Sequence, residues 1–241
     1  QDACRRETAK LHTGDPENLA LWKQFMPPCL EAIQIIYRRL DIIPFDYTLG
    51  ESFYQPMLAD VVKDLKAKGI AEESQGAQVI FFGDPEKYAP AIVQKRDGAF
   101  TYTTTDLATI KYRMEQWQPD AILYIVGTPQ AMHFKNLFTA ARRWGYDRVD
   151  LQHVAFGSVL GPDGKPLSTR KGADDLLGEL LDEAIEAAAK VHERLLQESR
   201  ERGEEIEEFS EEESRRVYTA VGIGAVKYAD LSQARTSDYR F

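Results

Sequence analysis

The sequence predicts a mixed α/β protein with a parallel sheet, and three observations lead there. Between Asp106 and Phe156 helical and strand-like patterns alternate, the order that produces parallel strands joined by helical crossovers. Both flanks of that region carry mainly the 3.6-residue period of helices. The chain is also long and apolar enough to bury a core, with 241 residues of which 43% are hydrophobic and 10% aromatic.

Taken in order, residues 1–40 read as helical. Asp15-Pro16-Glu17 is a helix-start signal, proline being tolerated in the first turn, and Leu19, Leu21, Trp22 and Phe25 follow at helical spacing. Leu30 to Leu40 reads as a second helix of the same period. Ile42 to Tyr47 reads as a short extended piece interrupted by Pro44. A helix from about Pro56 to Lys68 stops at Gly69. From Val79 the pattern becomes that of strands: Val79–Phe82, Ala91–Gln94 and Phe100–Thr103 are β-branched or aromatic runs separated by turn residues. A helix from Asp106 to Trp117 leads to the wholly apolar, buried-type strand Ala121–Val126. Gly127, a helix from Gln130 to Trp144 and a strand near Val149 to Phe156 come next. Ligands of such sheets bind at the carboxyl ends of the strands, which singles out Gly127–His133 and Phe156–Ser158. Beyond Gly172 the chain is helical from Asp174 to about Arg200 and again from Glu211 to about Leu231. The small residues Gly222-Ile223-Gly224-Ala225 there permit a close helix approach. The acidic run Glu201–Glu213 reads as a solvated helix face or a link.

Composition removes several function classes. The net charge of −9 gives no global basic field for nucleic acid, although a local basic rim is compatible with it. Cys4, Cys29 and four scattered histidines have no metal-ligand spacing, so no metal site is expected, and a reducing, cytoplasmic origin is. No apolar run is long enough to cross a bilayer as a helix.

Three groups of residues could carry chemistry. Tyr102 and Asp106, four apart, place a phenol and a carboxylate where they can meet a cationic ligand, the carboxylate pairing bidentately with a planar guanidinium. Equally, Asp106 could be a helix N-cap and Tyr102 a core-facing strand residue. Gln130 and His133 follow a strand end, as site residues or as a helix-opening and a packing residue. Ser168-Thr169-Arg170-Lys171, in a Gly-flanked loop after Lys165, could clamp the phosphates of a nucleotide or form an ordinary surface turn.

Together these pieces resemble the arginyl-tRNA synthetases. The likeness rests on Tyr102-x-x-x-Asp106-Leu107-Ala108, Tyr124-Ile125-Val126-Gly127-x-x-Gln130-x-x-His133-Phe134, Phe156-Gly157-Ser158-Val159-Leu160-x-x-x-Gly164-Lys165 and Leu167-Ser168-Thr169-Arg170-Lys171-Gly172. Asp46…Gly50-Glu51-Ser52-x-Tyr54 and the closing Gly224-Ala225 to Phe241 segment, with Arg235, Asp238 and Tyr239, extend it over nearly the whole chain. The resemblance implies the second half of a class I, Rossmann-type catalytic domain. Residues 1–78 would be an inserted connective region, 79–172 the catalytic half with its signature loop at 165–172, and 173–241 the start of a helical stem. It implies arginine activation by ATP with Mg²⁺, then transfer to tRNA(Arg), by a monomeric cytoplasmic enzyme. Tyr102, Asp106 and Gln130 would read the arginine side chain. His133, Phe156, Gly157, Val159 and Leu160 would line the ATP site, and Lys165, Ser168, Thr169, Arg170 and Lys171 would serve the phosphates.

The signature loop departs from the family's fullest form: Pro166 and Leu167 replace its opening lysine and methionine, and Thr169 stands for its second lysine. The family's first signature, a His-x-Gly-His turn, and its anticodon-binding domain do not occur in the sequence. The chain is therefore expected to be an internal piece of a longer protein, inactive by itself. Two other readings remain at this point: a noncatalytic interaction module derived from a synthetase, and another class I adenylate-forming synthetase such as a cysteinyl or glutamyl relative.

Overall fold

The computed structural model describes residues 2–84, 88–161, 164–165, 176–204 and 209–239. In chain order the elements are α1 (Asp2–His12), α2 (Pro16–Arg39), α3 (Glu51–Tyr54), a 3₁₀ turn (Gln55–Met57), α4 (Leu58–Ala67), β1 (Glu72–Ser74), β2 (Ala77–Ile80), β3 (Ala91–Gln94), α5 (Tyr102–Gln116), β4 (Ala121–Gly127), a 3₁₀ turn (Thr128–Gln130), α6 (Ala131–Trp144), β5 (Asp150–Phe156), α7 (Leu176–Glu201) and α8 (Glu211–Leu231). They form two compact units, neither continuous in sequence: Gln1–Phe45 with Ser168–Ser232, and Asp46–Leu167 with Gln233–Phe241.

The first unit is helical among its described residues. Asp15 caps α2 by accepting from the Asn18 N–H at 3.0 Å. The two helices expected on either side of Pro27-Pro28 are one helix, α2, with both prolines inside it. Each proline removes a donor, but the carbonyls left without one belong to the exposed residues Lys23 and Gln24, where water can serve them. At the end of α2 the Arg39 guanidinium donates to the Gly178 carbonyl (3.2 Å) and to Asp182 Oδ1 (2.5 Å) on α7. Helices α7 and α8 pack closely at Gly222. Its added Cβ would lie 2.8 Å from backbone atoms of Ala184 and Ile185. The acidic run connects them. Glu201 ends α7, and Glu211, Glu212 and Glu213 occupy the first turn of α8, where the helix dipole favours carboxylates. Ser210 and Glu213 form a capping box, and Phe209 stacks on His192.

The second unit holds the sheets. Leu58, Val61, Val62 and Leu65 give α4 a buried stripe at helical spacing. It packs with Leu107 and Ile110 of α5, Ile122 and Tyr124 of β4, and Leu137 and Trp144 of α6 in one core. Strands β1, β2 and β3 form an antiparallel sheet; β1 was not legible as a strand, and Gln75-Gly76, both at positive φ, turn the chain into β2. The boundary expected at 78/79 thus falls inside β2, because the strand pattern was read only from Val79. The expected strand Phe100–Thr103 is also different. Only Phe100 bridges to Gln94, and the helix begins at Tyr102, four residues earlier than expected. Thr103 and Thr104 are buried in its first turn, the Thr104 hydroxyl donating to the Val93 carbonyl and that of Thr101 to Ile92 O. Those bonds fix α5 on β3, and β-branched threonines read as strand before tertiary contacts are known.

Strands β4 and β5 are parallel, in register from Ala121↔Asp150 to Gly127↔Phe156. The apolar run of β4 is buried on one face only: Ile122 and Tyr124 enter the core, whereas Leu123 and Ile125 are more than half exposed. Gln233–Tyr239 at the far end of the expected stem belongs with this unit, not with the helices, and Tyr239 forms a parallel bridge with Val159.

Candidate active site

The last rung of the parallel ladder, Gly127↔Phe156, puts the two segments singled out from the strand-end rule side by side. Thr128 Oγ1 ties them by donating to the Phe156 carbonyl at 2.9 Å. Beyond Gly127 the 3₁₀ turn carries the exposed Gln130, and α6 carries His133 three residues on.

Because α5 starts at Tyr102, Tyr102 and Asp106 are successive-turn neighbours on one helix face. The N-cap reading of Asp106 and the core-strand reading of Tyr102 therefore fall: Thr101 is the N-cap, and Tyr102 is 64% exposed. Both meet His133. Its Nε2 lies 2.6 Å from Asp106 Oδ2, and its ring stands edge-on to Tyr102 with centroids 4.8 Å apart. The Asp106 side chain is about one-third exposed and that of His133 less than half as much, so one carboxylate oxygen is held while the group still reaches water. A carboxylate so placed, with a phenol one turn away, can take a planar cation.

Further along α5, Arg113 forms a second polar pair with Tyr124 of β4. The Arg113 guanidinium carbon is 5.5 Å from the centroid of the Tyr124 ring, and the Tyr124 hydroxyl and Arg113 Nε are buried with no partner of good hydrogen-bond geometry among the described residues. Burial pushes the Tyr124 phenol far above its ordinary value; the Arg113 cation opposes that shift and the Asp106 charge adds to it. Arg113 stands seven residues from Asp106 on α5, a spacing that returns to the same helix face and was the available sequence signal. A cleft of about 360 Å³ opens beside Tyr102 and His133, between Ala89–Ile92, Thr101–Thr103 and α6 residues Met132, Asn136 and Leu137; Asp106 and Gln130 do not line it.

At the other strand end, Phe156 exposes 43% of its surface, and the next residues are engaged through their backbone. Gly157 N–H donates to Arg235 O (2.9 Å) and Leu160 N–H to Tyr239 O (2.8 Å). Gly161 and Lys165 close a turn, Gly161 N–H donating to the Lys165 carbonyl at 2.8 Å. Ser168, Thr169, Arg170 and Lys171 lie outside the described residues.

The whole chain, residues 1–241, matches the family model for the catalytic domain of class I tRNA synthetases (R). The chain belongs to that family. Among curated relatives, the arginine–tRNA ligase of Rhodopirellula baltica is 50% identical over 242 residues, covering 99% of this chain and 35% of its own. That of Salmonella paratyphi B is 42% identical over 250 residues, covering 100% and 41%. The chain thus spans about a third to two-fifths of the length of the curated relatives it matches. The arginyl-tRNA synthetase of Plasmodium falciparum superposes with a TM-score of 0.77 at 26% identity, over 98% of this chain and 38% of that one. The Thermus thermophilus enzyme, at 17% identity and a TM-score of 0.74, matches in fold, over 100% of this chain and 44% of its own.

Membership of this family sets aside the cysteinyl and glutamyl alternatives. It also gives the α/β architecture its name, the class I synthetase catalytic fold. Within that frame the structure joins what the sequence had assigned to different ligands: His133, read as part of an ATP wall, is hydrogen-bonded to Asp106, read as an arginine partner. The two are 27 residues apart on different helices, so no local spacing announced the contact.

Proposed function

We propose that this chain is the arginine-activating portion of an arginine–tRNA ligase. Arginine and ATP, with Mg²⁺, yield arginyl-adenylate and pyrophosphate, and the arginyl group is then passed to tRNA(Arg). The observation that carries the reading is the Asp106 carboxylate, anchored by His133 at 2.6 Å and one helical turn from Tyr102, next to the carboxyl end of β4.

Asp106 pairs with the substrate guanidinium through the oxygen that His133 leaves open, Tyr102 covers that group from one turn away, and Gln130 supplies an amide at the mouth. His133 acts on arginine through Asp106. Phe156 presents a half-exposed ring for a purine, while Gly157 and Leu160 use their N–H groups elsewhere in the protein. Tyr239 bonds to Ser158 and Leu160 on either side of Val159, so the N–H and carbonyl of Val159 face away from Tyr239, and in this reading they meet the adenine. Lys165 and the Ser168, Thr169, Arg170, Lys171 loop complete the reading by serving the phosphates. Mg²⁺ in this reading is carried by the phosphates of ATP, as this cation usually is in phosphoryl-transfer sites. The enzyme acts as a cytoplasmic monomer in this reading.

The test is Asp106→Asn in the full-length ligase. Leaving a buried cation without its charge partner costs about 2–4 kcal/mol, a rise of roughly 30- to 800-fold in KM for arginine. An unchanged KM refutes the pocket. Calorimetric titration of the wild-type protein with arginine, and lysine as control, asks the same question without turnover.

A further inference from the structure

Strand β4 stops at Gly127 opposite Phe156, and among the described residues no sheet strand pairs with the chain just beyond Phe156. An unpaired strand end is ordinarily the mobile part of a sheet. Here residues 155–160 are held instead by the segment Gln233–Tyr239, which follows directly after α8. Arg235 acts twice: its carbonyl accepts from Gly157 N–H at 2.9 Å and its guanidinium donates to the Ala155 carbonyl at 2.6 Å. Asp238 Oδ1 accepts from Ser158 N–H at 2.6 Å. Tyr239 N–H donates to Ser158 O (3.1 Å), and its carbonyl accepts from Leu160 N–H (2.8 Å). Both side-chain bonds are charge-assisted, the stronger kind. Gly157 is what lets the segment lie this close. A Cβ there would stand 2.2 Å from the Ser237 carbonyl oxygen and 2.4 Å from its carbon, atoms that cannot swing aside.

We propose that Gln233–Tyr239 is a strap that sets the 156–160 turn for nucleotide binding, with Arg235 and Asp238 as positioning residues. The proposal rests on the functional reading above, which places the purine against Phe156 and Val159. Neither strap side chain touches substrate. Each fixes a backbone group next to Phe156 or Val159, and together they fix where the chain enters Gly161–Lys165 and the loop beyond. Gly157 is thereby required by the strap, whatever its part in the ATP wall. These bonds of Arg235 and Asp238 fall on residues 155–158, at the nucleotide end of the site, and among the described residues neither side chain bonds to Tyr102, Asp106 or Gln130. Loss of the strap should therefore be felt by ATP and not by arginine.

The experiment is steady-state, arginine-dependent pyrophosphate exchange in the presence of tRNA(Arg), by the full-length ligase carrying Asp238→Ala, Asp238→Asn or Arg235→Lys. Asp238→Ala is expected to lower kcat/KM for ATP at least tenfold while KM for arginine stays within twofold. Asp238→Asn, whose amide oxygen still accepts from Ser158, should recover most of that loss. Equal losses toward arginine and ATP, or no loss toward ATP, would overturn the strap's role. If Asp238→Ala does not fold, Arg235→Lys decides. It keeps the Gly157 contact and shortens only the reach to Ala155, and the same ATP-selective loss is required of it. A failure of the functional reading is separable, since wild-type enzyme supplied with tRNA(Arg) would then show no arginine-dependent exchange.

Discussion

Two glycines on one helix should respond to alanine with opposite signs. Gly222 and Gly224 both lie in α8, two residues apart, so they face different sides. A Cβ on Gly222 would lie 2.8 Å from the carbonyl carbon and oxygen of Ala184 and from Ile185 Cα, whereas on Gly224 it would meet nothing within 4 Å. Non-bonded carbons rest at about 3.5–4.0 Å, so α7 and α8 must part by roughly 0.7 Å or more at this crossing to admit Gly222→Ala. Backbone, unlike a side-chain tip, cannot turn away, which places the cost near the upper end of the range of about 1–3 kcal/mol for overpacking. Alanine returns about 1 kcal/mol of helix propensity at either site. Gly222→Ala should therefore destabilise by about 2 kcal/mol and Gly224→Ala stabilise by up to about 1 kcal/mol, a spread of about 3 kcal/mol. Urea titration followed by helical circular dichroism measures both midpoints under the same conditions. The packing argument is refuted if Gly222→Ala proves as stable as Gly224→Ala.

Four further outcomes are expected. His133→Ala should raise KM for arginine less than Asp106→Asn does, because it frees Asp106 to move without removing its charge; steady-state kinetics on both variants ranks them. Asp64 accepts from Trp144 Nε1 at 2.6 Å and from Lys68, which hold its carboxyl below the ordinary carboxylate range, the tryptophan bond being the larger cause. A depressed carboxylate stabilises fully above its unfolded value and loses that contribution as pH falls through the folded one. The stability gap between wild type and Asp64→Asn should accordingly shrink below about pH 4 in urea titrations. Tyr124→Phe removes a buried hydroxyl that has no good partner, so its stability from urea titration should stay within about 1 kcal/mol of wild type or rise. Ser210→Ala removes the cap of α8 and should cost about 1 kcal/mol in the same assay.

What was legible in the sequence is what depends on local pattern. Gly69, at positive φ just past α4, stops its helix as glycines do, and the parallel order of β4 and β5 follows from the helix between them. What was not legible depends on partners far along the chain. Thr103 and Thr104 look like strand residues until β3 supplies the carbonyl that buries Thr104 in a helix. The same shift of the helix start changes the chemistry. It turns Tyr102 and Asp106 from a strand end and a cap into one helical face, which is what allows a single ring, His133, to meet both. Motif reading assigns residues to ligands one at a time, and so it gave Asp106 to the amino acid and His133 to the nucleotide. Their 2.6 Å contact ties the two side chains together. In the proposed reading, a carboxylate already held by an imidazole is oriented before a guanidinium arrives, so less conformational freedom is lost on binding. In that reading the strap does for the nucleotide end what His133 does for the arginine end: in both places the residue assigned to the ligand is held by one that is not, and that holding residue comes from a distant part of the sequence.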